Sequence, residues 1–402
     1  VRKLAALFLL AIGITTFAVE PDKEGFVPLF NGKDLTGWVN VNTHPSTFFV
    51  KYGMIITNGK PMGFLRTEKQ YENFELEFEW FHVNTKEMGN SGLFVWGDPL
   101  PAIGTVYTRG IEVQVLVNYE TDWATSHGDI FSIWGAKCKP DRPHPKGMER
   151  CLPSERVCKG GGEWNHYRVV ANNGSIKLSV NGKEVSGVSQ CVPRKGYLAL
   201  ESEGAETAFR NIRIKELPST NPKPEEIADV YRGQELLFNG LDFTGWDVEE
   251  KSGTWKIGGS RISVTPTMPE GTSMSRKHNY RKEIQFDANF PDKKNDQGTI
   301  TVGWGDDKSF PSVSVTSAGE VRIHQGEGER DTNLTNQKEL LPGKFFRIRI
   351  VEEENELVVF LNNKQVLKGK KIMPKGEPRL YFSITGAPAE LTNLYGLAAK
   401  EK

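Results

Sequence analysis

Glu112 and Gln114 sit two residues apart in the run Ile111-Glu-Val-Gln-Val115. In an extended strand alternate side chains point to opposite faces, so the carboxylate and the amide share one face while Ile111, Val113 and Val115 share the other. Such a pair can hold hydroxyl groups, and the carboxylate can also move a proton. Glu201 and Glu203 repeat the spacing in Leu200-Glu-Ser-Glu203 and are placed to extend the same surface. His127-Gly-Asp129 follows in a polar loop, and an imidazole oriented by a carboxylate is a natural general base near neutral pH. Asn90-Ser-Gly92 is a polar turn suited either to fixing the backbone or to touching a ligand.

These side chains need strands to position them, and the chain is written in strands. Glu75-Leu-Glu-Phe-Glu-Trp80, Ser175-Ile-Lys-Leu-Ser-Val180 and Arg347-Ile-Arg-Ile-Val351 alternate polar with apolar, the period of a half-buried strand. Asn181-Gly182 closes one run as a hairpin turn, because both positions of a type I′ turn need positive φ. With 41 Gly, 22 Pro, 22 Phe and 9 Trp, and no long amphipathic helical pattern, the chain reads as all-β, a sandwich or jelly roll.

The pattern occurs twice. Leu29-Phe-Asn-Gly-Lys-Asp-Leu-Thr-Gly-Trp38 returns as Leu237-Phe-Asn-Gly-Leu-Asp-Phe-Thr-Gly-Trp246, and Leu178-Ser-Val-Asn-Gly-Lys-Glu-Val185 is answered by Val359-Phe-Leu-Asn-Asn-Lys-Gln-Val366. We therefore expect one domain over 26–217, a proline-rich spacer over 218–234 and a second, degenerate domain over 235–398. The second keeps turn and core residues, but no Glu-x-Gln strand or His-Gly-Asp loop follows in the corresponding order. It is expected to be accessory and to supply no catalytic residue.

Lys plus Arg and Asp plus Glu both total 51, so no global field draws the protein to nucleic acid or to an anionic membrane. Arg2-Lys3, the apolar run Leu4 to Phe17 and the small residue Ala18 read as an export signal over 1–18, too short for a membrane span. The mature protein is expected to be periplasmic or extracellular. In such a compartment Cys138, Cys151, Cys158 and Cys191 are candidates for two disulfides of open connectivity. A zinc site competes less well, because paired short C-x-x-C spacings are missing.

Taken in order, the first decapeptide, Gly63-Phe-Leu-Arg66, Glu75 to Trp80, Gly89-Asn-Ser-Gly-Leu93, Gly110-Ile-Glu-Val-Gln114, Gly162-Glu-Trp-Asn-His-Tyr167, Gly196-Tyr-Leu-Ala-Leu-Glu201 and Phe209-Arg-Asn-Ile-Arg-Ile214 resemble the 3-keto-disaccharide hydrolase domain family, formerly a domain of unknown function. The resemblance covers about 26–216, with the second half similar only in its opening and tail. It implies two tandem concanavalin/laminin-G-like jelly-roll β-sandwiches, an exported location, and an oligosaccharide or glycoside substrate whose sugar carries a ketone at C3. Such a ketone acidifies the proton on C2, so the C1 substituent can leave by elimination, followed by addition of water. The base is then expected to be His127 or Glu112, with Asp129 orienting His127. Gln114 and Arg66 take the carbonyl and hydroxyl contacts, and Asn90 and Glu201 join the substrate surface. The resemblance fixes no cofactor; oxygen-rich loops around Asp122 and Asp129 suit a divalent cation such as calcium, which could replace the donors at the C3 oxygen. Two other functions fit the same residues. One is a conventional glycosidase using Glu112 with Glu201 as its carboxyl pair; the other is a lectin-like module that binds without catalysis.

Overall fold

The computed structural model describes residues 20–277, 282–292, 297–304, 312–324, 332–334, 337, 340, 343–370 and 379–398. The expected export signal, 1–18, lies outside the described residues. Among the described residues each half is a sandwich of two antiparallel sheets, nine strands against seven in the first and eight against seven in the second. Among the described residues there is no α-helix, only a 3₁₀ turn at Pro224–Glu226, and hence no helix long and apolar enough to cross a membrane. The chain is all-β, two tandem jelly-roll sandwiches.

In the first sandwich the strand Phe74–His82 turns Phe74, Leu76, Phe78 and Trp80 inward, each at most 1% exposed, and Glu75, Glu77 and Glu79 outward. Ile111, Val113, Val115 and Val117 of the strand Gly110–Val117 meet them from the opposite sheet in one cluster. Burying each such side chain contributes roughly 1.5–3 kcal/mol. The seven-stranded sheet carries the candidate site. It runs Arg150–Cys151, Ile130–Ile133, Gly110–Val117, Gly89–Gly97, Tyr197–Ser202, Gly63–Thr67 and Trp38–Val41.

The alternation along Ile111 to Val115 is that of a half-buried strand, yet all eight residues of Gly110–Val117 are buried. The outer face is covered twice over. The excursion Asp98 to Arg109 between two of its strands folds back onto it, and the second sandwich lies over part of the remainder. Val41, Phe64, Phe94 and Ala199 of the sheet, Leu100 of the excursion and Tyr395 of the second sandwich form one apolar cluster. Polar contacts surround it: Tyr395 donates its hydroxyl to Asn42 Oδ1 at 2.5 Å, and Ser260 donates to the Met62 carbonyl at 3.0 Å.

The repeated decapeptides adopt the same turn. In the first, Asn31 Nδ2 donates to Asp34 Oδ1 at 2.7 Å and Trp38 Nε1 donates to the Leu29 carbonyl at 3.2 Å. In the second, Asn239 donates to Asp242 at 2.8 Å and Trp246 to Leu237 at 2.8 Å. Hydrogen bonds from Asn31 and then Thr36 hold the Asp34 carboxyl down at about 2, and those from Thr244 and then Asn239 do the same for Asp242. The Asn, Asp and Trp of the motif are therefore structural in both halves.

Two expectations need correction. The segment 218–234 does not stand off as a spacer. Gln70 Nε2 donates to the Ala228 and Asp229 carbonyls, Arg194 NH to the Glu226 carbonyl, and Ala228 is buried. Proline removes donors from the segment, but its carbonyls remain available to the first sandwich. The four cysteines are thiols and not two disulfides. Cys138, Cys151 and Cys158 each donate to a backbone carbonyl, at 3.6, 3.6 and 3.4 Å. Burial pushes the Cys138 thiol up to about 11 and that of Cys158 to about 12.

Candidate active site

The sheet register sets the site. Phe94 lies opposite Glu112, Gly92 opposite Gln114, and Glu201 opposite Phe64, so side chains from three strands converge on the outer face. Gly92 is what makes room for them. A Cβ there would sit 2.9 Å from Glu201 Oε2 and 3.0 Å from Glu112 Oε1, which also puts those two oxygens within about 6 Å of each other.

Glu112 is 7% and Glu201 1% exposed, and Glu203 is half-buried beside them. Burial, then the Glu203 charge, pushes the Glu112 carboxyl up to about 8, against the opposing pull of Arg150. Glu201 is held well above the usual carboxylate range by burial and by Glu112 and Glu203. Glu203 is raised by burial and brought back by hydrogen bonds from Tyr107 and Glu201. Carboxylates this close cannot all ionise, so the trio holds protons at neutral pH. Glu201 Oε2 is buried and without a hydrogen-bond partner.

A polar chain runs past the trio. Asp129 Oδ2 accepts from Arg150 Nε at 2.7 Å, Arg150 Nη2 donates to Gln114 Oε1 at 3.0 Å, and Gln114 Nε2 donates to Asn90 Oδ1 at 2.8 Å. Asn90 Nδ2 then donates to Glu203 Oε2, and the Tyr107 hydroxyl donates to Glu203 Oε1 at 2.8 Å. The Arg150 guanidinium also lies over the Phe131 ring at 3.9 Å. The cluster reaches solvent at Asn90, Glu203 and Phe131, all half-buried, and at Trp123, which is exposed.

The structure thus gathers Glu112, Gln114, Asn90, Asp129 and Glu201, but not in every expected role. Asp129 does not orient His127, because its oxygens accept from Thr125 and Arg150. His127 instead points Nε2 toward Glu120 Oε2 at 3.6 Å and lines surface clefts with Glu120 and Ser126 or Arg156. Arg66 is on the same sheet face but fully buried. It donates to the Pro99 and Thr67 carbonyls, and its guanidinium lies between the rings of Tyr197 and Tyr231, so it fastens the excursion and the linker and does not face the trio. Asp122 pairs with Lys146 at 2.7 Å, and among the described residues no group of three or more His, Cys, Asp or Glu is arranged to hold a metal. The expected calcium loops are therefore engaged in protein contacts.

Arg150 and Tyr107 were not singled out from the sequence. Arg150 belongs to a two-residue strand that pairs only at the sheet edge, and nothing periodic announces it. Tyr107 lies on the excursion, whose path depends on the second sandwich. Gly104 NH donates to Asp287 Oδ2 at 2.9 Å, Arg347 donates to the Pro101 carbonyl at 2.8 Å, and Asn393 donates to the Thr105 carbonyl at 2.9 Å. Gly104 has φ of 70°, and a Cβ there would lie 2.3 Å from Phe345 Cβ, so only glycine permits this approach.

Residues 25–215, which make up the first sandwich, match the model of the 3-keto-alpha-glucoside-1,2-lyase-like domain family. The chain is 24% identical over 246 residues to a 3-keto-disaccharide hydrolase of Bacteroides thetaiotaomicron, spanning 49% of this chain and 80% of that one. It is also similar to the crystal structure of a candidate glycosyl hydrolase from Parabacteroides distasonis, with 23% identity, a TM-score of 0.38, and coverage of 48% of this chain and 95% of that one. The family is carbohydrate-active and hydrolase-like.

Proposed function

We propose that this protein is an exported enzyme that cleaves 3-keto-glycosides at the first sandwich by elimination and hydration. The observation that carries the reading is the buried trio around Gly92, in which burial and the neighbouring Glu203 charge raise the Glu112 carboxyl to about 8. A ketone at C3 lowers the cost of removing the C2 proton. Glu112 takes that proton, since a base with a pKa near ambient pH is most effective. The electron pair moves onto the C3 oxygen, within reach of the Gln114 and Asn90 amides and the Arg150 charge, which favour it electrostatically. The C1–O bond then breaks, and Glu201, which holds a proton, gives it to the departing oxygen. Water then adds across the resulting C1=C2 bond: its hydroxyl goes to C1, its proton to the Glu201 carboxylate, and Glu112 returns its proton to C2, so both carboxyls regain their starting states. His127 and Arg66 have no part in these steps. Export rests on the signal-like residues 1–18.

A second reading has one observation in its favour. Oxygens of Glu112 and Glu201 lie within about 6 Å, compatible with the roughly 5–5.5 Å carboxyl spacing of retaining glycosidases. Incubation with a β-glucoside and with its 3-keto counterpart separates the two. Turnover restricted to the keto form supports elimination, turnover of the plain glycoside supports the carboxylate pair, and binding of either without turnover contradicts both.

A further inference from the structure

Between the two sandwiches lies a cleft of about 960 Å³ that the proposed chemistry does not use. The first sandwich supplies Arg109 and Trp134, the linker Asp229, and the second sandwich Gln285, Arg349 and Asn363. Two independent features mark it as built for a ligand. Gln285 is 4% exposed, yet its Nε2 has no hydrogen-bond partner, and a buried amide donor left idle is costly unless something fills the space it faces. Trp134 is 52% exposed and holds φ at 50°, a backbone region that a large side chain occupies at a cost. It stands at the tip of a tight turn closed by Ala136 NH to the Ile133 carbonyl at 3.1 Å, its ring stacked on Tyr107 at 6.3 Å. Glycine or asparagine would make that turn more easily, and burial does not explain the tryptophan.

The charges decide the ligand class. Arg109 pairs with Asp98 at 2.7 Å, Arg232 and Arg349 with Glu283 at 2.5 and 3.3 Å, and Arg347 with Asp287 at 2.6 Å. Arg232 and Arg349 share Glu283, and Asp229 supplies a fourth carboxylate in the cleft wall, so four guanidinium groups stand against four carboxylates and no surplus positive charge selects an anion. What remains is a flat aromatic face with neutral amides and balanced donors and acceptors, which is the chemistry of a pyranose ring.

We infer that the cleft between the sandwiches is a second, non-catalytic saccharide site, seating a neutral oligosaccharide on Trp134 and against Gln285. The second sandwich then has a ligand-facing role besides holding the excursion. The inference does not depend on 3-keto chemistry, because the probes that test it carry no ketone.

Titrate the full protein calorimetrically with maltotetraose and, separately, cellotetraose, each to 10 mM. At least one is expected to bind at the millimolar level or better. Gln285→Leu, which removes only the idle amide and touches no part of the carboxylate cluster, is expected to weaken binding about fivefold, the size of one neutral hydrogen bond, with thermal stability unchanged or raised. Trp134→Ala is expected to abolish binding, whereas Trp134→Phe keeps the flat face and retains it while losing the saccharide-dependent fluorescence change. Neither probe binding at 10 mM overturns the inference. So does binding that survives Gln285→Leu and Trp134→Ala unaltered. Because Gln285 lies outside the catalytic cluster, loss of binding here with normal turnover, or the reverse, separates this inference from the proposed reaction.

Discussion

Asp287 is the residue through which the second sandwich grips the excursion beside the carboxylate trio. It is fully buried, and its two oxygens accept from Arg347 Nε at 2.6 Å, Arg347 Nη2 at 2.9 Å, Gly104 NH at 2.9 Å and Asn393 Nδ2 at 2.6 Å. Asp287→Ala leaves a buried guanidinium without its carboxylate, a loss of about 3–5 kcal/mol. It also strands the Gly104 amide, adding roughly 1–3 kcal/mol. The terms share partners and do not add fully, so about 4 kcal/mol is a reasonable total. For a domain of this size that corresponds to a fall in Tm of roughly 8–16 °C. The second effect is local: with Gly104 released, Tyr107 no longer holds Glu203 in one place. Hydrogen exchange of the Gly104 amide, read by mass spectrometry below the variant's Tm, should rise at least tenfold, accompanied by a drop in kcat/KM on a 3-keto-glycoside. The double variant Asp287→Ala/Arg347→Met should recover much of the Tm, since no unpaired charge remains, but not the protection of Gly104. An unchanged Tm, or a Gly104 amide as protected as in the parent, refutes the reasoning.

Four further outcomes follow from the site. Glu112 is raised from 4.5 to about 8 in the folded protein, so it binds more protons folded than unfolded across that range. Its contribution to stability is therefore full below about 4.5 and lost as pH rises through 8, at no more than about 1.4 kcal/mol per pH unit. Denaturant midpoints measured from pH 5 to 9 should decline, and Glu112→Gln should flatten the decline; a variant with the parent's slope removes Glu112 as its source. On the same grounds kcat/KM should rise with pH toward a plateau above about 8, as the base loses its proton. His127→Asn should leave kcat/KM within about threefold of the parent, and a fall of the 10²–10⁴ order typical of a lost general base would return His127 to the mechanism. Gly92→Ala drives a methyl group against Glu201 and Glu112 at about 3 Å and should lower kcat by at least tenfold in steady-state assays while the protein stays folded by circular dichroism.

Much of this was readable in the chain. Strict alternation at Ile111 to Val115 put Glu112 and Gln114 on one face, and the same spacing put Glu201 beside Glu203, because side-chain direction in a strand is a local property. The repeated decapeptide gave the same turn twice, since its Asn, Asp and Trp make their hydrogen bonds within ten residues. What was hidden is long-range. Whether the Glu112 face meets water or protein depends on the excursion and on a partner sandwich nearly 300 residues away, as the contact between Asn393 and the Thr105 carbonyl shows. Sequence adjacency also misled: His127 and Asp129 are two apart, but Asp129 turns to Arg150 and His127 to Glu120.

The measurement that bears most directly on the central claim is kcat/KM for Glu112→Gln on a 3-keto-disaccharide, taken alongside its circular dichroism spectrum and Tm. The substitution keeps the shape of a side chain that is already protonated much of the time, so the fold should be retained. Turnover should fall by about 10³-fold or more, in keeping with the loss of a general base. A folded Glu112→Gln protein with kcat/KM near that of the parent would contradict the account.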